Sequence, residues 1–194
     1  MAKVSDSKEK TIAAAARLFC QQGYHGTALH DILAASGAPR GSLYFHFPNG
    51  KEEIGVAAVA LGAQAVHDFI AQAAGAAQSA EAFAASLARG MAGNLERSAY
   101  REGCPIAPTA LETATQSKAL GAAARRAFQS WEHEIARTLE GFGMKAADAE
   151  RTATAVLSQL EGALLLARTY RSLEPMRRAE RAVKLLVRAA LTAP

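Results

Sequence analysis

Residues 41–51 read Gly41-Ser42-Leu43-Tyr44-Phe45-His46-Phe47-Pro48-Asn49-Gly50-Lys51. A short stretch dense in aromatics and hydroxyls ends in a histidine, a proline stops it, and a lysine opens the next segment. Tyr44 and Phe45 are consecutive, so they cannot both face one core, and a soluble protein rarely exposes such a pair without a use. Leu43 and Phe47 lie four apart and point inward, which leaves Arg40, Ser42, Tyr44 and Phe45 outside. Just upstream, Leu29, Ile32 and Leu33 give a second amphipathic face that Gly37 ends. Helix, short turn, short helix is the layout of a helix-turn-helix.

Working outward, the periodicity predicts helices along the whole chain. The first runs from about Asp6 to Gln22, with Ile12, Ala16 and Phe19 on one stripe, and Gly23 ends it. Thr27 is placed to cap the second helix, with His30 standing where Glu or Gln would complete a capping box. Pro39 suits the first position of the third helix, and Asn49 or Gly50 starts the fourth. Longer helices follow at about 51–75, with Ile54, Ala58, Leu61, Ala65 and Phe69 at helical spacing, and at 79–98, with Phe83, Leu87, Met91 and Leu95. A break at Glu102-Gly103-Cys104-Pro105 leads to a short helix ending near 115. Three more are expected at about 117–141, 147–171 and 174–192. Half of the residues are hydrophobic, alanine dominates, and no alternating strand pattern appears. The expected fold is all-α with about nine helices, in two domains, residues 1–50 and 51–194.

The net charge of +4 is unevenly spread. Residues 1–51 carry six Lys/Arg against three Asp/Glu, residues 52–167 nine against thirteen, and residues 168–194 seven against two. A basic N-terminal module fits a surface that contacts phosphate. Two cysteines, Cys20 and Cys104, cannot build a disulfide framework or a four-ligand zinc site. No metal or cofactor is expected. No apolar run approaches the ~20 residues of a membrane span, and the polar start, Met1 to Lys10, lacks a signal-peptide core. The chain is therefore expected to be soluble and cytoplasmic, with no membrane partner.

The third helix carries the chemistry. A helix N-terminus entering the major groove of DNA places Arg40 near base edges, where a guanidinium pairs with guanine O6 and N7. Gly41 lets the backbone approach closely. Ser42, Tyr44 and His46 offer donors to phosphate oxygens, which set position rather than sequence. Lys51 adds charge at the start of a helix whose N–H groups also favour phosphate.

Thr27, then Ile32-Leu33-Ala34-Ala35-Ser36-Gly37, then Gly41 to Phe47, closely resemble the N-terminal domain of the TetR family of transcriptional repressors. The match covers about residues 8–55. The resemblance implies a homodimer whose N-terminal helices read a palindromic double-stranded operator, and a C-terminal domain that dimerises and binds a small-molecule inducer. It implies phosphate contacts at Thr27, Ser42, Tyr44, His46 and Lys51, base-proximal positions at Arg40 and Gly41, and a thymine-methyl or sugar contact at Phe45. The chain departs from the family pattern at Pro39, where a capping hydroxyl is common. Gly103-Cys104-Pro105-Ile106 and Ala110-Leu111-Glu112 resemble the sixth helix of a branch that includes repressors of multidrug-efflux genes, which points to an aromatic or lipophilic inducer.

Phe69, Phe83, Leu87, Met91, Cys104, Phe128, Trp131 and Tyr170 are the candidates to line a ligand cavity, although such stripes are as readily plain core. Trp131 offers a flat wall and an N–H donor. Cys104, near a helix start, is weighed both as a redox thiol and as a small buried residue. Leu157, Leu160 and Leu164, with Met176, Val183 and Leu186, suit a symmetric four-helix dimer interface. Arg177, Arg181, Lys184 and Arg188 line one face of the last helix, a second nucleic-acid candidate weighed against the reading as a face solvated or paired to acidic residues such as Glu161. His67 and His133 have no nucleophile or metal-ligand partner, so no enzyme is expected. The reading from another class is a helical small-molecule carrier without DNA binding, against which the exposed Tyr44-Phe45-His46 argues.

Overall fold

The computed structural model describes residues 2–192, with side chains from Ser7 onward. Met1, Ala193 and Pro194, at the ends of the two expected domains, and the Asp6 side chain lie outside the described residues. Among the described residues there are nine α-helices and no strand, as the periodicity predicts. They are α1 (Ala2–Gln22), α2 (Leu29–Ser36), α3 (Arg40–His46), α4 (Lys51–Ala76), α5 (Ala80–Arg97), α6 (Ala107–Thr113), α7 (Lys118–Gly141), α8 (Ala146–Tyr170) and α9 (Glu174–Thr192).

The chain packs as two compact units that do not divide at residue 50. One joins Met1–Ala65 to Cys104–Phe128, and the other joins Val66–Gly103 to Gln129–Pro194. The first half of α4, all of α6 and the start of α7 thus pack with the N-terminal helices.

In the first unit, α2 and α3 are too short to persist alone and exist because they share a core. Phe19 of α1, Ile32 of α2, Leu43 of α3, the following Phe47, and Ile54 of α4 are all buried together, with Ala15 and Ala58 filling between them. Each of these five large side chains contributes roughly 1.5–3 kcal/mol on leaving water. Ile12, Ala16, Leu29 and Leu33 pack around the edge. On α4 the expected stripe holds only in part, because Leu61 and Ala65 are exposed. Ile54, Ala58 and Val59 carry the burial instead.

The α4 helix also corrects the membrane expectation. Its 26 residues include an 18-residue window of mean hydropathy 1.6, long and apolar enough by that test to cross a membrane. Ile54, Val56, Val59, Leu61, Val66, Phe69 and Ile70 supply most of the hydropathy, with alanines between them. The inward side of the helix is spent on protein, with Gly62 against Pro105 so closely that an added Cβ would lie 3.0 Å from its Cβ.

In the second unit, α5 buries Phe83, Leu87 and Leu95, α8 buries Val156, Leu160 and Leu164, and α9 buries Met176, Val183 and Val187. This corrects the expected dimer surface. Leu160, Leu164, Met176 and Val183 are consumed by the protomer's own core and have no surface to give a second copy. Leu157 is half-buried, and Leu186 is exposed while Val187 takes the inward place expected for it. Three of the four cations on the basic face of α9 reach acids: Arg177 and Arg181, with neighbouring Arg178, reach Glu174, and Arg188 reaches Glu81 of α5.

Candidate nucleic-acid interface

The turn that presents α3 is built from local bonds. Gly37 takes the left-handed conformation (φ 65°) and its N–H bonds Leu33 O at 3.0 Å, closing α2. The Ser36 hydroxyl then accepts from Ala38 N–H at 3.2 Å. Pro39, extended at φ −60° and ψ 140°, is the N-cap of α3 rather than its first helical residue, and its carbonyl accepts from Ser42 N–H at 2.9 Å. The third helix is therefore Arg40–His46, held down by Leu43 and Phe47.

What faces outward is Arg40, Gly41, Tyr44 and Phe45, with Tyr44 57% and Phe45 76% exposed. Nothing in the protein lies within 4 Å of a Cβ added at Gly41. Its bare backbone thus serves no internal packing and leaves room for an outside surface. Ser42 is half-buried, its hydroxyl 2.8 Å from that of Ser7 on α1. His46 is half-buried with its Nε2 enclosed and unpartnered, and its ring meets Phe45 edge-on at 5.1 Å.

Thr27 is different. It is fully buried, its hydroxyl donates to Gly23 O at 2.8 Å and it accepts from Gln22 Nε2 at 3.2 Å. A phosphate cannot reach it, which overturns the contact expected there. It does not cap α2 either: the N-cap is Ala28, whose N–H is taken by the Asp31 carboxylate at 2.8 Å. The Thr27 hydroxyl instead satisfies the carbonyl of Gly23, in the turn that follows α1.

Lys51 opens α4 with its ammonium 4.3 Å from the centre of the Tyr24 ring, a cation–π contact. Burial holds this lysine below its usual pKa, opposed by the nearby carboxylates of Glu112 and Asp31. Burial, then Glu52, pushes the Tyr24 hydroxyl up, so that ring is neutral in any ordinary buffer.

The other candidate sites fare unevenly. Cys104 and Phe128 fall in the first unit, and the remaining six ligand candidates in the second. Phe83, Leu87 and Trp131 are buried, and Phe69 and Met91 half-buried, with the Phe69 ring against Gly90. Tyr170 is 64% exposed at the end of α8, so it lines no interior wall. A groove of about 210 Å³ between α5 and α9, floored by Ala88, Ala92 and Met176, contains none of the eight. Cys104 is buried, and its sulfur accepts from Ala107 N–H at 3.4 Å, the role of a small structural residue.

Sequence reasoning named Glu112 only within the sixth-helix resemblance and missed what it touches. Its carboxylate leaves α6 and accepts from His25 N–H, in the turn between α1 and α2, at 2.6 Å. The separation of 87 residues left no local signal.

A two-helix reader with an exposed polar and aromatic second helix, seated on a third helix, defines a helix-turn-helix DNA-binding protein. Residues 12–58 match the model of the tetR family of bacterial regulatory proteins, and residues 79–182 match that of the C-terminal domain of transcriptional regulators like LmrA and YxaF. The chain belongs to the TetR family. It is 34% identical to the uncharacterized HTH-type transcriptional regulator YxaF of Bacillus subtilis, over 97% of this chain and 98% of that one. To the HTH-type transcriptional regulator LmrA of the same organism it is 33% identical, over 88% and 91%. A TetR transcriptional regulator of Chloroflexus aurantiacus superposes with a TM-score of 0.83 at 28% identity, covering 97% of both chains. The protein is thus a DNA-binding transcriptional regulator and not an enzyme. A carrier without DNA binding is excluded.

Proposed function

We propose that the chain is a homodimeric repressor, released from a palindromic operator by a small aromatic or lipophilic inducer. The outward face of α3 carries the reading. Arg40, Gly41, Tyr44 and Phe45 are exposed together, while the same helix is locked inward by Leu43 and Phe47. Arg40 and Gly41 are assigned to base edges, Phe45 to a thymine methyl or sugar, and Tyr44, Ser42, His46 and Lys51 to phosphates. Ser42 and His46 are half-buried, so their contacts need a close approach of the backbone, which Gly41 permits. The dimer is supported by apolar side chains left bare on α8 and α9, namely Leu165, Leu166, Leu185 and Leu186. The inducer is assigned to the apolar interior of the second unit, around Phe69, Phe83, Leu87, Met91 and Trp131. The cytoplasm is the compartment in which such a regulator meets DNA.

The test is binding to duplexes selected by the purified protein from a random-sequence pool. Arg40→Ala is expected to relax selection at one base pair and to cost about 1–3 kcal/mol there, while Lys51→Ala weakens all sequences alike and flattens the salt dependence. If both variants select and bind as the wild type does, α3 is not the reader.

A further inference from the structure

The helix-turn-helix is held at its entrance and at its exit by one short segment from far along the chain. At the entrance, the Glu112 carboxylate on α6 accepts from His25 N–H at 2.6 Å. The backbone there is shaped for it: Gly23 is buried, and a Cβ at that position would lie 2.0 Å from Glu112 Oε1. At the exit, Ser117, in the turn between α6 and α7, donates its hydroxyl to Glu52 Oε1 at 2.5 Å. Glu52 stands in the first turn of α4, directly after the reader. Ser117 also caps α7 by accepting from Leu120 N–H at 3.1 Å.

We propose that Glu112 and Ser117 form a polar latch by which α6 and the turn after it set the position of the reader, making Glu112 a positioning residue for DNA binding. The inference rests on α3 being the reader. The apolar core beneath α2 and α3 is close-packed, but its driving force is non-directional. Hydrogen bonds to a carboxylate are directional and about twice as strong as neutral ones. Two of them, at the two ends of the reader, fix its orientation in a way the core does not. Glu112 is also the leading anionic neighbour of Lys51, opposing the effect of burial on its ammonium. The same carboxylate therefore acts on the turn that enters the reader and on the phosphate-facing lysine that follows it.

The α6 segment that carries the latch is itself fixed. The Cys20 thiol of α1 donates to Cys104 O at 3.6 Å, and Pro105 lies against Gly62 of α4.

The test uses the full-length protein, a duplex selected by the wild type, and an unrelated duplex of equal length. Glu112→Ala removes the entrance bond. Ser117→Asp still caps α7 but repels Glu52. Each is expected to weaken the selected duplex about tenfold, within the usual range of coupling between sites, while changing the unrelated duplex less than about twofold. Exchange of the His25 amide proton should rise in Glu112→Ala before any loss of helicity. Glu112→Gln and Ser117→Asn, which keep an acceptor and a donor, should restore most of the affinity; a merely space-filling role would not separate these pairs. Should Glu112→Ala fail to fold, Ser117→Asp carries the same comparison. Wild-type affinity in both disrupting variants, with Arg40→Ala still weakened, overturns the latch. If Arg40→Ala is silent too, the reader assignment falls and the latch with it.

Discussion

At Gly23 two demands meet on one residue. The backbone is left-handed, φ 83°, and an added Cβ would overlap the Glu112 carboxylate. Gly23→Ala therefore carries a conformational cost of about 1–2 kcal/mol and a clash on top of it. In a Glu112→Ala background only the first cost remains. Urea unfolding of the four proteins should give a coupling of at least about 0.5 kcal/mol. Additive costs would mean that the carboxylate swings aside freely. Neither half of this pair was legible alone. The sequence marks Gly23 as a helix end, and Glu112 as one acid in a short helix. Thr27 failed for a related reason. A hydroxyl before a helix is a good cap in general, but α2 has Ala28 at its N-cap, so Thr27 lies one residue too early, its hydroxyl accepts from Gln22 Nε2 instead, and Asp31 caps the helix from within.

Helices as elements were readable because their signals are local. Start and stop residues such as Gly23, Gly37 and Pro48 act through their own backbone, and the nine helices of the described residues appear within a few residues of where the spacing puts them. Which face of an element is buried was readable only where one stripe dominates, as on α7, where the spacing of Leu120, Phe128, Trp131, Ile135 and Leu139 marks the inward side and only Phe128 is half-buried. On alanine-rich α4 the stripe is ambiguous, and Leu61 turned outward. The α7 helix also carries Glu134, a nearly buried carboxylate gripped by Arg137 through Nε at 3.1 Å and Nη2 at 2.5 Å. The Arg137 hydrogen bonds hold its pKa below the ordinary carboxylate value, outweighing burial. A carboxyl with a depressed folded pKa adds stability above its unfolded pKa and loses it as pH falls through the folded one. Glu134→Gln should thus destabilise the protein at pH 7, by no more than about 1 kcal/mol since Arg137 is largely exposed. The difference should vanish below the carboxylate range. Thermal unfolding of both proteins across pH 3–7 measures it, and a gap constant with pH would assign the cost to packing instead.

For the molecule as a whole, the surface proposed for a second copy was the least legible part. The α8 and α9 helices are apolar on more than one side, and periodicity finds first the stripe that the protomer buries for itself. Leu160 and Val183 were therefore expected at the interface but lie in the core, while Leu165 and Leu185, 64% and 63% exposed, are the side chains left without cover. Leu165→Glu with Leu185→Glu should leave each protomer folded, since neither residue supports its core. It should shift sedimentation from dimer to monomer, and abolish tight binding to a two-half-site duplex. A variant that still sediments as a dimer would move the interface elsewhere. The two thiols have a practical consequence for such experiments. Cys20 and Cys104 are both buried, and the sequence holds no third cysteine. Buried thiols of this kind react slowly, so a cysteine introduced at exposed Phe45 or Leu111 would take a spin label selectively. The spacing of two readers in solution then becomes a distance that can be measured without removing a native cysteine.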